Sequence, residues 1–94
     1  MSRTVRMSPD AEWDLARLRD FLAEKAPSAA VRAATVIAGA VRSLRSLSER
    51  GFKTSEDGLR ELYVPFGSHG YVVQYVVQPD EVFILRIFHG LEER

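Results

Sequence analysis

The stretch that decides the fold covers residues 59–89 and reads LRELYVPFGSHGYVVQYVVQPDEVFILRIFH. It contains three runs of β-branched and aromatic residues, separated by residues 67–70 and by residues 78–81. Short apolar runs bounded by Gly, Pro and Asp are typical of strands, and connections this short join antiparallel neighbours. The sequence therefore predicts a three-stranded antiparallel meander.

Both faces of this meander are apolar. Because side chains alternate along a strand, the last run is expected to divide into two sets: Phe83, Leu85 and Ile87 on one face, and Val82, Ile84, Arg86 and Phe88 on the other. A small antiparallel sheet usually keeps one face polar and in contact with water. Here both faces need cover from the rest of the chain or from a partner.

Two helices are predicted before the meander. Ser8, Pro9 and Asp10 form a strong helix start, and Ala26-Pro27 ends that helix. Its apolar stripe is Ala11, Leu15, Leu18 and Leu22, with Trp13, Arg17 and Asp20 off the stripe and Phe21 at its edge. We expect Ser28 to cap a second, alanine-rich helix that continues to a glycine stop at Gly51. The short connection between the helices predicts an antiparallel hairpin.

These elements predict an α+β fold with two layers in the order β-α-α-β-β-β. The N-terminal helical hairpin packs on an antiparallel sheet that the strand at residues 3–7 can join. The helices can cover only one face of the sheet, so the other face is predicted to bind a partner. The alternative is that residues 52–57 or 91–94 fold over it, although these segments contain only two large apolar residues, Phe52 and Leu91.

Composition limits the class of protein. The 94 residues are enough for one domain, predicted over residues 1–94, and they contain no cysteine, which excludes disulfides and thiolate metal sites. We find no membrane-length apolar run and no signal-like N-terminus, and we expect a soluble cytoplasmic protein. The net charge is zero, but residues 1–53 carry 10 basic and 6 acidic side chains, against 3 and 7 in residues 54–94. The basic half could meet an acidic partner or nucleic acid, or simply be a solvated face.

Several segments in order resemble the RelE/ParE superfamily of type II toxins. They are the opening SPDAEWDL at residues 8–15, the helix junction PSAA at residues 27–30, GLREL at residues 58–62, YVVQY at residues 71–75 and VFILRIFHG at residues 82–90. One deviation is Arg50, where the family often has a proline. The resemblance implies the β-α-α-β-β-β fold and a co-encoded antitoxin that wraps the toxin with an extended segment.

The superfamily includes mRNA-cleaving RelE-like toxins and ParE-like toxins that poison DNA gyrase. Metal-free RNA cleavage needs cations at the phosphate and groups that move protons. This chain has no lysine after Lys53, has Val72 where RelE-like chains have an arginine, and has Leu91, Glu92 and Glu93 where they have a Lys-Arg pair. The resemblance therefore favours the ParE-like branch and a toxin that acts by binding gyrase rather than by catalysis. We assign no catalytic residue, no metal and no cofactor.

Two alternatives remain open at this stage. One is a ribosome-dependent ribonuclease with a reduced site built on Tyr75, Arg86 and His89, although Arg86 and His89 fall on opposite faces of a regular strand. The other is an inactive relic that still binds an antitoxin.

The antitoxin is expected to be ParD-like and to form a hetero-oligomer with the toxin. We expect no membrane partner and no sequence-specific DNA binding by the toxin alone. Trp13, Arg17 and Phe21 form a candidate ridge for the antitoxin, since Trp and Arg are favoured at binding hot spots. Trp13 could equally cap the edge of the sandwich. Antitoxin tails are typically acidic, which would suit the arginines Arg32, Arg42, Arg45 and Arg86.

Overall fold

The computed structural model describes residues 2–92 and has two helices packed on one face of a five-stranded sheet. The strands are β1 (Thr4–Met7), β2 (Phe52–Lys53), β3 (Leu59–Val64), β4 (Tyr71–Val77) and β5 (Glu81–His89), and the helices are α1 (Pro9–Lys25) and α2 (Pro27–Ser43). The sheet order is β1-β5-β4-β3-β2, with β1 parallel to β5 and all other pairs antiparallel. The predicted two-layer α+β fold is confirmed.

The core lies between the helices and the inner face of the sheet. The inner face contributes the alternating side chains of each strand, and the helices contribute their apolar stripes: Ala11, Leu18, Ala33, Ile37 and Leu44 against Leu62, Val64, Tyr71, Val73, Tyr75, Val82, Ile84 and Ile87. The first helix starts as predicted, because the Ser8 side chain accepts a hydrogen bond from the Ala11 N–H and Pro9 follows. It ends at Lys25, before Pro27.

The second helix differs from the prediction at both ends. It begins at Pro27 with Ala26 as its cap, so the predicted cap at Ser28 is wrong. Proline already has helical φ and needs no amide hydrogen at that position, which allows the helix to start one residue earlier. It ends at Ser43, well before Gly51. The short strand β2 then occupies part of the predicted loop over residues 52–57 and adds an edge strand beside β3.

The last strand contains a register shift that the sequence did not predict. Tyr75 pairs with Ile84, whereas the preceding Gln74 pairs with Arg86, so Leu85 is an extra residue in β5. Such a bulge changes the face on which all later side chains lie. Ile87 therefore faces the helices together with Ile84, and its predicted grouping with Phe83 and Leu85 is wrong.

The outer face of the sheet is only partly covered. The Arg86 guanidinium lies 4.8 Å from the centre of the Phe88 ring, and that of Arg6 lies 4.4 Å from the Phe83 ring. Phe52, which was considered as cover for this face, is 79% exposed. The two arginines therefore shield part of the face that was expected to need a partner, and its β2 side is open to solvent.

Candidate functional site

A ridge of exposed side chains runs along α1. Trp13, Arg17 and Phe21 are spaced by four residues and therefore lie on one side of the helix. Trp13 is 72% exposed and Phe21 is 60% exposed. Their aromatic rings contribute almost nothing to the core, so the sequence-predicted ridge is available to a partner.

A groove of about 640 Å³ lies beside this ridge. Leu18, Leu22, Phe66 and Tyr71 are among its apolar lining residues, and the β3–β4 connection and the end of β5 form its far wall. Arg17 reaches Glu92 across the groove with a nitrogen–oxygen distance of 3.2 Å. A groove of this kind, with an apolar floor and a rim of charged groups, suits an apolar side chain from a protein partner.

Arg86 forms a bidentate ion pair with a buried aspartate of α1. Its Nε lies 2.7 Å from Asp14 Oδ2, and a second guanidinium nitrogen lies 3.0 Å from Oδ1. Asp14 is 1% exposed and also accepts a 2.9 Å hydrogen bond from the Ile87 N–H. Burial raises the pKa of the Asp14 carboxyl, but the bonds from Arg86 and Ile87 outweigh burial and hold that pKa below its ordinary value of 3.8.

This ion pair holds the bulge of β5 against α1. Strand β1 pairs with β5 only as far as Ile84, so the next part of the β5 edge would otherwise lack partners. The start of α1 supplies them: Ser8 Oγ donates to the Leu85 carbonyl, and Asp14 accepts from the Ile87 N–H. Sequence reasoning missed Asp14, although its place three residues after Ala11 and four before Leu18 puts it on the buried stripe.

The Tyr75 side chain is fully buried and bonded to the backbone. Its hydroxyl accepts a 2.8 Å hydrogen bond from the Gly51 N–H. Burial raises the pKa of the Tyr75 hydroxyl above its ordinary value of 10.0, and the Gly51 bond offsets only part of that rise. A buried, protonated phenol that already serves a backbone amide is poorly suited to proton transfer with a substrate.

His89 lies at the other end of the sheet from the Tyr75 hydroxyl. It pairs with Tyr71, whereas Tyr75 pairs with Ile84, four residues or about 13 Å further along β4. The His89 ring packs against the Tyr71 and His69 rings at centroid distances of 5.8 Å. The structure therefore does not bring Tyr75, Arg86 and His89 together around one substrate position.

The three arginines of the second helical segment are exposed. Arg32 lies in the first half of α2, Arg42 lies in its last turn and Arg45 follows it. Arg42 and Arg45 line an apolar groove between α2 and β1, far along α2 from Arg32. The seven candidate antitoxin-binding residues thus lie in three places: three on the α1 ridge, three arginines in or just after α2, and Arg86, whose guanidinium is bonded to Asp14.

Within residues 2–92 no group of three or more His, Asp or Glu side chains is arranged to hold a metal ion. In the same part of the chain, neither helix has the length and apolar character that crossing a membrane requires.

Comparison with known proteins identifies the family. A family model for the ParE toxin of type II toxin-antitoxin systems (parDE) matches residues 5–94. The chain belongs to the ParE toxin family. It thereby belongs to the RelE/ParE superfamily of type II toxins, as its sequence segments indicated.

Two curated relatives of this ParE-family chain come from Caulobacter vibrioides. "Toxin RelE3" is 48% identical over 92 residues, with 98% of this chain and 99% of the relative covered. "Toxin RelE1" is 37% identical over 94 residues, with both chains fully covered. Among solved structures, the chromosomal ParDE TA system from P. aeruginosa matches with a TM-score of 0.81 at 22% identity, covering 94% of this chain and 96% of that chain. This structural likeness supports the fold alone.

Proposed function

We propose that this ParE-family toxin is neutralised by a ParD-like antitoxin and, when free, blocks replication by binding DNA gyrase. The observation that carries the proposal is that the groups needed for RNA cleavage are already used in the fold. Arg86 is bonded to Asp14, and the Tyr75 hydroxyl is buried against Gly51. A toxin that works by binding needs an exposed surface rather than a reactive group, and the α1 ridge is exposed.

The charge around His89 also supports a binding function. Glu92 accepts a hydrogen bond from the backbone N–H of His89 and pairs with Arg17, so a carboxylate lies beside His89 where it borders the groove. A scissile phosphate at this position would have to compete with that carboxylate for Arg17. Cleavage of RNA without metal instead requires fixed positive charge where negative charge develops.

An antitoxin partner is supported by the family itself, whose model describes the ParE toxin of type II toxin-antitoxin systems. The proposed antitoxin-binding residues are the exposed members of the predicted set, on the α1 ridge and on α2. The proposal includes one toxin domain over residues 1–94, a cytoplasmic location and no cofactor.

The alternative function is RelE-like cleavage of mRNA on the ribosome. The observation that favours it is that both curated relatives carry the name RelE. In this alternative His89 would be the accessible proton-transfer group, since it borders the groove beside α1. Arg86 would have to leave Asp14 to bind phosphate.

The test is to incubate purified gyrase, supercoiled plasmid and this toxin, and then to treat the mixture with detergent and protease. The proposal predicts linear DNA, equally with wild-type toxin and with His89→Ala. A parallel translating extract is expected to show intact mRNA. The ribonuclease alternative predicts the reverse: no linear DNA, cleaved mRNA with wild-type toxin and loss of cleavage with His89→Ala. Absence of both products from a folded toxin would indicate an inactive relic.

A further inference from the structure

The outer face of the sheet exposes two aromatic rings beside β2. Phe52 pairs with Glu61 of β3, and Tyr63 lies two residues further along that strand, so both side chains point to the face opposite the helices. Phe52 is 79% exposed and Tyr63 is 49% exposed. The two residues form an open aromatic patch, called here the β3 patch.

The β3 patch continues into a packed part of the same face. Tyr63 pairs with Val72 of β4, and Val72 pairs with Phe88 of β5. Val72 and Phe88 are both buried. Because Tyr63 lies within the sheet rather than on a loop, binding a partner would cost little side-chain freedom there. Exposed rings on such a support are typical anchors of protein interfaces.

Within residues 2–92, exposed Trp, Tyr and Phe side chains occur in two places. Trp13 and Phe21 lie on the α1 ridge, and Phe52 and Tyr63 form the β3 patch on the other layer. The α1 ridge is the candidate surface for the antitoxin. The β3 patch is a second surface of the same aromatic character, and a toxin that binds both an antitoxin and a target can use two surfaces.

The charge beside the β3 patch is negative. A shallow cleft of about 600 Å³ is lined by Glu56, Glu61 and Glu92, and none of its described lining residues is basic. Glu61 is bonded to Gln74, and Glu92 is paired with Arg17. The exposed Glu56 carboxylate is bonded to no other residue within residues 2–92. It is therefore available to a cation of a partner.

The cations nearest to this face are already paired or point away from it. Arg6 is paired with Glu81 at a nitrogen–oxygen distance of 3.2 Å. Arg86 is paired with Asp14 at 2.7 Å. Lys53 of β2 points to the opposite face, because side chains alternate along a strand. Exposed rings next to negative charge favour a partner surface that is rich in Lys and Arg.

We infer that the β3 patch is the surface through which this toxin binds a basic surface of DNA gyrase. Phe52 and Tyr63 supply the apolar contact, and Glu56 pairs with a Lys or Arg side chain of gyrase. A protein that binds DNA carries basic surfaces, because it neutralises phosphates with Lys and Arg. The inference rests on the proposed function and adds to it the contact surface and its chemistry.

The experiment measures the Kd of the toxin for purified gyrase with bound DNA by surface plasmon resonance, and the yield of linear DNA. Phe52→Ala and Tyr63→Ala should each weaken binding by about tenfold or more and reduce linear DNA. Leu47→Ala is the control, because it removes an exposed apolar side chain from the connection after α2. Its Kd for gyrase should equal that of wild type. Thermal unfolding checks that each variant is folded.

Charge reversal tests the electrostatic part of the contact. Glu56→Lys should weaken gyrase binding by about tenfold, mainly through slower association, and the loss should shrink as salt rises. Glu12→Lys makes the same change of net charge at an exposed position on α1 and should have a much smaller effect. Antitoxin binding by Glu56→Lys should remain at the wild-type level.

The outcomes separate the inference from the proposed function. Wild-type affinity for gyrase in folded Phe52→Ala and Tyr63→Ala would overturn the assignment of the β3 patch and leave gyrase as the target. Equal losses in Glu56→Lys and Glu12→Lys would refute a local role of Glu56, since net charge alone would explain them. Failure of the folded wild-type toxin to bind gyrase at all would overturn both the inference and the proposed target.

Discussion

Replacement of Asp14 should destabilise the protein more than any other single change to a charged residue of α1. The carboxylate is buried and bonds both Arg86 and the Ile87 N–H. Asp14→Ala leaves the buried Ile87 amide unsatisfied, which costs about 1–3 kcal/mol. Loss of the Arg86 pair adds about 1 kcal/mol, because the Arg86 side chain is 42% exposed and water can solvate it.

The expected loss is therefore about 2–4 kcal/mol, or a fall in the melting temperature on the order of 15 °C for a chain of this length. Asp14→Asn separates the two contributions, since its amide oxygen can still accept from Ile87 but its NH₂ group faces the donors of Arg86. We expect it to lose about half as much stability as Asp14→Ala. The control is Asp20→Asn, at an exposed position on the same helix, which should stay within about 0.5 kcal/mol of wild type.

The pH dependence tests the same ion pair. The pKa of Asp14 is lower in the folded protein than its ordinary value of 3.8, so its contribution is fully present above about pH 4–5. That contribution is lost as the pH falls below 3.8 and through the folded-state pKa. Urea unfolding of wild type and Asp14→Asn should therefore differ most at neutral pH and converge in acid. Equal stabilities at pH 7, or a gap that widens in acid, would refute the assigned role of Asp14.

Three further variants test other contacts. Trp13→Ala should weaken antitoxin binding by ~2 kcal/mol, about 30-fold in Kd, without loss of stability. Phe52→Ala, at a similarly exposed position on another surface, should leave the Kd unchanged. Both Kd values are measured by calorimetric titration, and equal values for Trp13→Ala and wild type would remove Trp13 from the interface. Gly51→Ala places a methyl carbon 2.6 Å from the Tyr75 hydroxyl oxygen and should lower the free energy of unfolding by about 1–3 kcal/mol. Gly39→Ala meets open space within α2 and should raise it by about 0.5–1 kcal/mol. Urea unfolding measures both, and an unchanged stability of Gly51→Ala would contradict the close packing. Tyr75→Phe removes the acceptor for the Gly51 N–H and should lower the stability of the fold by about 1–3 kcal/mol, measured by thermal unfolding, while toxin activity stays unchanged. Loss of activity without loss of stability would instead favour the nuclease alternative.

The fold was largely predictable because local signals and the global pattern agree. Proline and serine mark the start of α1, and the runs of Val, Ile, Phe and Tyr mark β3, β4 and β5. The end of α2 was not predictable in the same way. Residues 44–50 retain helix-forming residues, but Arg3 donates its N–H to the Arg45 carbonyl and the chain turns there toward β2. This contact joins the turn after α2 to the residue before β1, and the sequence near residue 45 does not contain that information.

The bulge at Leu85 is the feature that sequence periodicity could not detect. All residues from Val82 to Phe88 except Arg86 are apolar, so either register satisfies the hydrophobic pattern. The choice is made by α1, since Ser8 and Asp14 bond the Leu85 and Ile87 backbone groups that an irregular strand exposes. A buried acid on the apolar stripe of α1 was the available signal, because such an acid requires a donor nearby.

The uneven charge along the chain becomes a spatial difference once the halves are packed. Ion pairs Arg6–Glu81, Arg17–Glu92 and Arg86–Asp14 each join a residue of the first half to one of the second. The last of them pairs an acid of the basic half with a base of the acidic half, so most of the charge difference between the halves is retained. Arg42 and Arg45 remain outside these pairs, beside the β1 edge. The carboxylates of residues 56 and 57 lie at the β2 edge instead, together with Lys53 and Arg60, so the two edges of the sheet differ in charge.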